Sequence, residues 1–267
     1  MAERIGDILR NGVKDKLARG EVVASMTVRL VRGVEIASIA RTAGFDTLYI
    51  DVEHSSFSLE TTSQICVAAL GLGIAPFVRV PSHRPEHVGR ALDGGALGVI
   101  APHVASAEEA RAVVRAAKFA PLGERSAAGA LPHLQYRAFP PAEANAALNA
   151  ATMVIVQCES AAFLDGADAI MAVEGVDMAL IGTNDLLADW GLSGQYGHAR
   201  VRDAYARVIA AAQRHGKHVG VGGLASRPDL AAEFVRMGAR YVSTGTDLAF
   251  LMAACTEKAK QVREMTL

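Results

Sequence analysis

The sequence predicts an α/β fold, and within that class a single-domain (β/α)₈ TIM barrel over residues 1–267. Three observations predict it. Short apolar runs alternate with helix-like runs almost without interruption. Several of the short runs are apolar throughout rather than alternating, as strands covered by helices on both sides are. Eight strand–helix units in about 250 residues match the size and count of a barrel. An open doubly wound sheet usually carries a Gly-rich turn after its first strand. Here Thr27-Val28-Arg29-Leu30 stands in that place.

The elements follow in order. Residues 22–28 read as the first strand and 34–43 as a helix. The second strand, 47–51, precedes a helix over 59–70, and the third, 74–80, a helix over 86–92. The fourth, 97–101, precedes a helix over 107–117. Residues 153–157, 178–181, 218–221 and 240–243 supply the remaining four strands. The helix over 200–214 keeps Ala and Val on one stripe and Arg on the other. A final helix starts near Asp247 and runs almost to the C-terminus.

One stretch breaks the pattern. Residues 119–141 hold four of the nine prolines, two glycines and little periodicity. A loop of this length in a compact domain usually has a task, and the expectation here is a lid over the mouth or a subunit contact.

Composition excludes several classes. The chain is 51% hydrophobic and 21% charged, with a formal net charge of −1, so no basic field for nucleic acid or an acidic membrane is expected. Cys66, Cys158 and Cys255 are widely spaced and show no C-x-x-C, which argues against a disulfide framework or a zinc site. No apolar run reaches 18 residues and the first residues carry no apolar signal core. A cytoplasmic protein is expected.

Chemistry collects where strands end. Gln157-Cys158-Glu159-Ser160 follows one apolar run and Gly182-Thr183-Asn184-Asp185 the next, and Glu159 and Asp185 lie 26 positions apart. That is one βα repeat, so both carboxylates point into the same mouth. Two oxygen ligands on an open site suit a hard divalent cation, with water and substrate completing its shell. Gln157 and Glu159 share a face by the period of two, which turns Cys158 toward the helices. The second strand ends in Asp51-Val52-Glu53-His54 and the third in Arg79-Val80-Pro81. A cation closing an apolar strand suits an anion, and its planar fork a carboxylate. His54 beside two acids is a candidate base or proton relay. His83, His87, His103 and His133 are placed near the mouth or its loops. Asp46 and Asp177 precede their strands and so belong to the opposite rim. The lysines are 14, 16, 118, 217, 258 and 260, and none closes a strand. A Schiff-base mechanism is therefore excluded, and carbonyl activation falls to a metal.

Asp51-x-Glu53-His54, Arg79-Val80-Pro81, Pro121-x-Gly123-x-Arg125, Gln157-x-Glu159-Ser160 and Gly182-x-Asn184-Asp185-Leu186 occur in this order. With them the chain resembles the HpcH/HpaI family of metal-dependent class II aldolases over roughly residues 20–250. The resemblance implies a (β/α)₈ enzyme that cleaves or forms 4-hydroxy-2-oxo acids through a metal-bound pyruvate enolate. It implies Glu159 and Asp185 as ligands of Mg²⁺, Mn²⁺ or Co²⁺, with no nucleotide cofactor. It implies Arg79 and Gln157 on the pyruvate, and His54 paired with Asp51 as the proton relay. Thr183, Asn184 and Leu224 are expected substrate contacts, Leu224 as a cap on the aldehyde pocket. The implied substrates are pyruvate or another 2-oxo acid plus an aldehyde. The implied assembly is a homo-oligomer, a hexamer or trimer, with the last helix on a neighbour. Where the family's loop continues with Gly after its Arg, this chain has Ser126.

Two other enzyme classes remain open at this stage. Gly220-Val221-Gly222-Gly223 and Ser243-Thr244-Gly245-Thr246 end the last two strands, where many barrels bind phosphate. A sugar-phosphate enzyme is one alternative and an acyl-CoA carbon–carbon lyase the other. A non-catalytic binding module has no need of two acids, an arginine and a histidine in one mouth.

Overall fold

Eight parallel strands close into a barrel in sequence order in a computed structural model, which describes residues 4–265. The strands are β1 (Val23–Val28), β2 (Thr47–Asp51), β3 (Ala75–Arg79), β4 (Gly98–Ala101), β5 (Met153–Cys158), β6 (Met178–Gly182), β7 (His218–Gly222) and β8 (Tyr241–Thr246). All eight expected strands are present. The largest shift is at β8, which runs to Thr246 instead of 243.

Helices cover the barrel: α1 (Ile5–Ile8), α2 (Gly12–Ala18), α3 (Glu35–Thr42), α4 (Leu59–Gly71), α5 (Pro85–Asp93) and α6 (Ala107–Ala117). The second half adds α7 (Pro141–Ala151), α8 (Ala161–Met171), α9 (Thr183–Asp189), α10 (Ala199–Arg214), α11 (Pro228–Met237) and α12 (Asp247–Glu264). Their starts are written locally. Ser58, Ser106 and Ser160 accept a backbone N–H three residues on and so cap α4, α6 and α8. α5 and α11 open with proline, which loses no helical hydrogen bond there.

Strand alternation divides the core in two. Val28, Ile50, Val78, Val99, Val156, Ile181 and Val221 point outward and pack under the helices. Tyr49, Phe77, Ile100, Ile155, Leu180 and Tyr241 point inward and fill the barrel. Gly98 is the residue that this filling requires. A Cβ there would stand 2.9 Å from the Phe77 ring and 2.8 Å from the Met153 carbonyl. Each buried Leu, Ile or Phe contributes about 1.5–3 kcal/mol of transfer free energy.

The rim where strands begin is plugged by α1, α2 and the turn between them, from which Ile5, Leu9, Val13 and Leu17 join the inner core. Asp46 and Asp177 work on this rim. Each accepts a strand N–H, from Ala24 at 2.9 Å and Val154 at 2.8 Å. Each also meets a lysine of α2, Lys16 at 2.7 Å and Lys14 at 3.0 Å.

The irregular segment lies here too, which corrects the expectation of a lid. Phe119, Leu131 and Leu134 enter the inner core beside Leu9 and Val13, and His133 Nε2 lies 2.9 Å from the Ala96 carbonyl just before β4. Lys118 Nζ donates to the carbonyls of Asn149 and Thr152 at the end of α7. The reason is topological. The segment follows α6 and precedes β5, and a helix-to-strand connection returns the chain to the rim opposite the mouth. Burial lowers the Lys118 amine to about 8.

Helix α12 leaves Leu251, Met252 and Val262 exposed, while Phe250 in its first turn stacks on Phe45 at 6.2 Å. Among the described residues no helix is long and apolar enough to cross a membrane.

Candidate active site

The C-terminal ends of the strands surround a cavity of about 450 Å³, the end at which barrels of this kind place their chemistry. Asp51 and Arg79 close β2 and β3 and are register partners, so their side chains emerge side by side. Arg79 Nε donates to Asp51 Oδ1 at 3.0 Å and Nη2 to Oδ2 at 2.6 Å. Arg79 Nη1 reaches Glu53 Oε2 at 3.0 Å. Asp51 is fully buried. Burial would raise its carboxyl, but the Arg79 hydrogen bonds and charge outweigh that and hold it below the ordinary range. Oδ1 also accepts the backbone N–H groups of Glu53 and His54 at 3.1 Å each, which fixes the turn after β2.

Across the barrel, Gln157 and Glu159 share a face. Gln157 Nε2 donates to Glu159 Oε2 at 3.1 Å, and Gln157 Oε1 has no partner although it is buried. Glu159 Oε1 accepts the His103 backbone N–H at 2.5 Å and lies 2.8 Å from His103 Nδ1. The other His103 nitrogen stands 2.9 Å from Glu53 Oε1. His103 thus bridges the acids of β2 and β5, from a left-handed backbone conformation at φ 56°. Burial pushes the Glu159 carboxyl up, and the nearby Asp185 and Glu53 add to this.

A divalent cation fits this donor set. A carboxylate offers about four lone-pair directions, and Glu159 accepts two hydrogen bonds, one on each oxygen, with the His103 ring crowding Oε1, so a direction on Oε2 remains. Gly182 keeps that side open, since a Cβ there would lie 3.4 Å from Oε2. Among the described residues no group of three or more His, Cys, Asp or Glu is arranged to hold a metal ion, and a cation on Glu159 and Asp185 would need water and substrate to complete its shell.

Arg79, Gln157, Asp185, Asn184, Asp51 and His54 all line the cavity. Three expectations need correction. Leu224 is buried under the helices in the outer core, and its neighbours Gly223 and Ala225 face the cavity instead. Thr183 is fully buried, its hydroxyl donating to the Gly222 carbonyl at 2.7 Å and meeting Tyr205 at 2.9 Å, so it ties β6 to β7. The link between His54 and Asp51 runs through the His54 backbone N–H, while the ring lies 3.7 Å from Glu53.

The other histidines separate by rim. His133 belongs to the opposite end of the barrel, and His87 pairs with Ser82 at 2.9 Å. The His83 ring stands 3.5 Å from the Pro102 carbonyl. Cys158 is buried in the outer core as its alternation implies, and desolvation pushes its thiol well up.

Two residues escaped the sequence reading. Arg29 follows β1 and lines the cavity, with Nε 3.3 Å from Asp51 Oδ2 and Nη2 donating to the His54 carbonyl at 2.8 Å. The rule that selected Arg79, a cation closing an apolar strand, applies to it equally. Asp247 accepts the backbone N–H groups of Arg29, Leu30 and Val31 at 3.0, 3.0 and 2.8 Å. No local pattern announces that contact, because it joins positions more than 200 residues apart.

The sequence profile of the HpcH/HpaI aldolase/citrate lyase family matches residues 32–254. The chain is 40% identical over 260 residues to a 4-hydroxy-4-methyl-2-oxoglutarate aldolase of Hapsidospora irregularis, covering 96% of each. It is 33% identical to a hydroxypyruvate/pyruvate aldolase of Roseovarius nubinhibens, over 90% of this chain and 92% of that one. The crystal structure of an HpcH/HpaI aldolase from Desulfitobacterium hafniense superposes with a TM-score of 0.90 at 31% identity, over 97% and 98% of the two chains.

Proposed function

This chain belongs to the HpcH/HpaI aldolase/citrate lyase family, and on that premise we propose that it is a divalent-metal-dependent aldolase that joins pyruvate to a carbonyl acceptor and cleaves the resulting 4-hydroxy-2-oxo acid. As a family member it is a carbon–carbon lyase acting on 2-oxo acids. The relatives named for 4-hydroxy-4-methyl-2-oxoglutarate and for pyruvate make pyruvate the expected donor. The observation that carries the reading is Arg79. Its guanidinium is fixed by Asp51 and Glu53 and lines the same cavity as Gln157 and Asp185.

Glu159 and Asp185 would hold a divalent ion, which would supply Lewis-acid stabilisation of charge on the pyruvate oxygens. The side chains do the rest. Arg79 has five N–H donors and gives two of them to Asp51 in hydrogen bonds, with Nη1 ion-paired to Glu53, so donors on both terminal nitrogens remain for the 2-oxo and carboxylate oxygens. As C3 loses its proton, charge grows on the C2 oxygen, and a prepositioned donor there strengthens without reorganising. His54, half exposed on the rim, is the group placed to exchange that proton with solvent. C3 then bonds to the acceptor carbonyl carbon, whose oxygen takes up a proton. Cleavage runs these steps backward. The exposed apolar side chains of α12 suit packing on a second copy, in a homo-oligomer such as a hexamer or trimer.

Exchange of the pyruvate methyl protons in D₂O, followed by NMR on metal-stripped protein with and without Mg²⁺, Mn²⁺ or Co²⁺, tests this. Metal-dependent exchange that disappears in Arg79→Ala is expected. No exchange with any metal would overturn the reading. Thermal protection by phosphate without metal would then favour a sugar phosphate at the Gly222-Gly223 and Gly245 strand ends.

A further inference from the structure

We propose that Arg29 selects an oxo-acid acceptor by recognising its carboxylate, which makes it the specificity residue for two-carboxylate products of the kind the relatives' names carry, 4-hydroxy-4-methyl-2-oxoglutarate among them. The inference rests on the aldolase reading above and assigns its unaccounted half, the acceptor side of the cavity.

Position comes first. In the closed ring β1 lies four strands from β5, so Arg29 stands across the mouth from Gln157 and Glu159. Donor-side groups come from β3, β5 and β6. On one side Arg29 meets Asp51, which it shares with Arg79; the wall on its other side is neutral and hydroxyl-bearing, with Thr27 and Ser243 hydrogen-bonded to each other at 3.1 Å and Ser226 and Thr246 completing it. Arg29 is the cation of that wall.

Its donors are also available. Arg79 is flanked by two carboxylates, hydrogen-bonded twice to Asp51 and ion-paired to Glu53. Arg29 touches one carboxylate, already engaged by Arg79, at 3.3 Å, and spends one further N–H on the His54 carbonyl. Three of its five N–H groups remain, two of them on Nη1. Its side chain is 40% exposed at a cavity wall. A partly neutralised single guanidinium with a free edge matches a monoanionic carboxylate in a planar two-point contact.

The guanidinium is held in place from behind. Asp247, buried at the start of α12, accepts three consecutive N–H groups of the loop that carries Arg29, and Asp51 holds Nε. A side chain needed only as a surface charge has no use for such a mount.

The test uses a charged and a neutral acceptor on one carbon skeleton, glyoxylate and its methyl ester, each rate divided by its rate with an unselective catalyst, with pyruvate as donor and saturating Mn²⁺. The wild-type protein should prefer glyoxylate in kcat/KM by more than tenfold, roughly the discrimination of a charge-assisted hydrogen bond. In Arg29→Ala the glyoxylate-to-ester ratio should fall about 30-fold, and Arg29→Lys should recover part of it. A residue that merely braces Asp51 and His54 would lower both rates alike and leave the ratio within about threefold. That result, or a wild-type ratio near one, would overturn the proposal, and the wild-type ratio needs no variant to fold. Pyruvate methyl exchange is read first on the same wild-type sample. Its absence refutes the aldolase reading, and exchange without carboxylate preference refutes the role of Arg29 alone.

Discussion

Arg79 Nη2 lies 2.6 Å from Asp51 Oδ2, with Nε and Oδ1 at 3.0 Å beside them, a two-point contact between register partners that close β2 and β3. Both groups are buried. The acid therefore sets where the guanidinium points, and it must be charged to do so.

Asp51→Ala leaves the Arg79 charge buried with Glu53 alone. Removing one partner of a buried pair costs about 3–5 kcal/mol, so urea unfolding should show a loss of that order. A loss under about 1 kcal/mol would show the pair to be incidental. The pH dependence has a definite sign. The folded carboxyl lies below its ordinary value, so its contribution is complete above the unfolded value near 3.9 and fades as pH falls through the folded one.

Metal binding gives the second prediction. Glu159→Gln and Asp185→Asn should each weaken Mn²⁺ binding in calorimetry by at least the roughly 10–100-fold that loss of a supporting contact costs. Metal at a hundred times its Kd should stabilise the wild type by about 2.7 kcal/mol, and EDTA should remove this. Equal Mn²⁺ affinity in both variants and wild type would place the ion elsewhere.

His133 supplies a test away from the chemistry. It is almost fully buried at the rim where strands begin, and desolvation lowers its ring from 6.5 to about 4. The folded protein keeps it neutral while the unfolded chain takes up a proton below pH 6.5. Stability should thus rise with pH between about 4 and 6.5, by roughly 3 kcal/mol from this group. His133→Gln should flatten that slope in urea titrations. Parallel slopes in variant and wild type would mean that the ring is protonated in place.

Cys158 sits between Gln157 and Glu159 in sequence but faces the helices. Its buried thiol is held protonated, so it has no role as a nucleophile. Cys158→Ala should keep pyruvate exchange and lose about 1 kcal/mol of stability to a small cavity. Abolished exchange in a folded variant would contradict this.

Much of the architecture is legible in the sequence because it is written in local periods. Apolar runs of four to seven residues gave every strand, and the ends of those runs gave Asp51, Arg79, Gln157, Glu159 and Asp185. Where the reading failed, a neighbour far along the chain decided. Leu224 and Ala225 differ by one step of alternation, and the packing under the helices chose which of them faces the cavity. Thr183 ends a strand at the mouth, yet the Gly222 carbonyl of β7 takes its hydroxyl. Segment 119–141 takes the rim opposite the mouth because it joins a helix to the next strand, a position that its prolines do not report.

The sequence by itself determined the alternation of strands and helices, the closed (β/α)₈ barrel and the roster of charged groups at the strand ends. These follow from side-chain periodicity and hydrophobic burial, which act over a few residues. The tertiary structure decided how those charges are shared. Barrel closure sets β1 beside both β2 and β8, and so brings Asp247 to the loop of Arg29 and Arg29 to Asp51. Each carboxylate has a fixed number of lone pairs. Only the folded arrangement settles which are spent on the protein and which guanidinium N–H groups remain for a substrate.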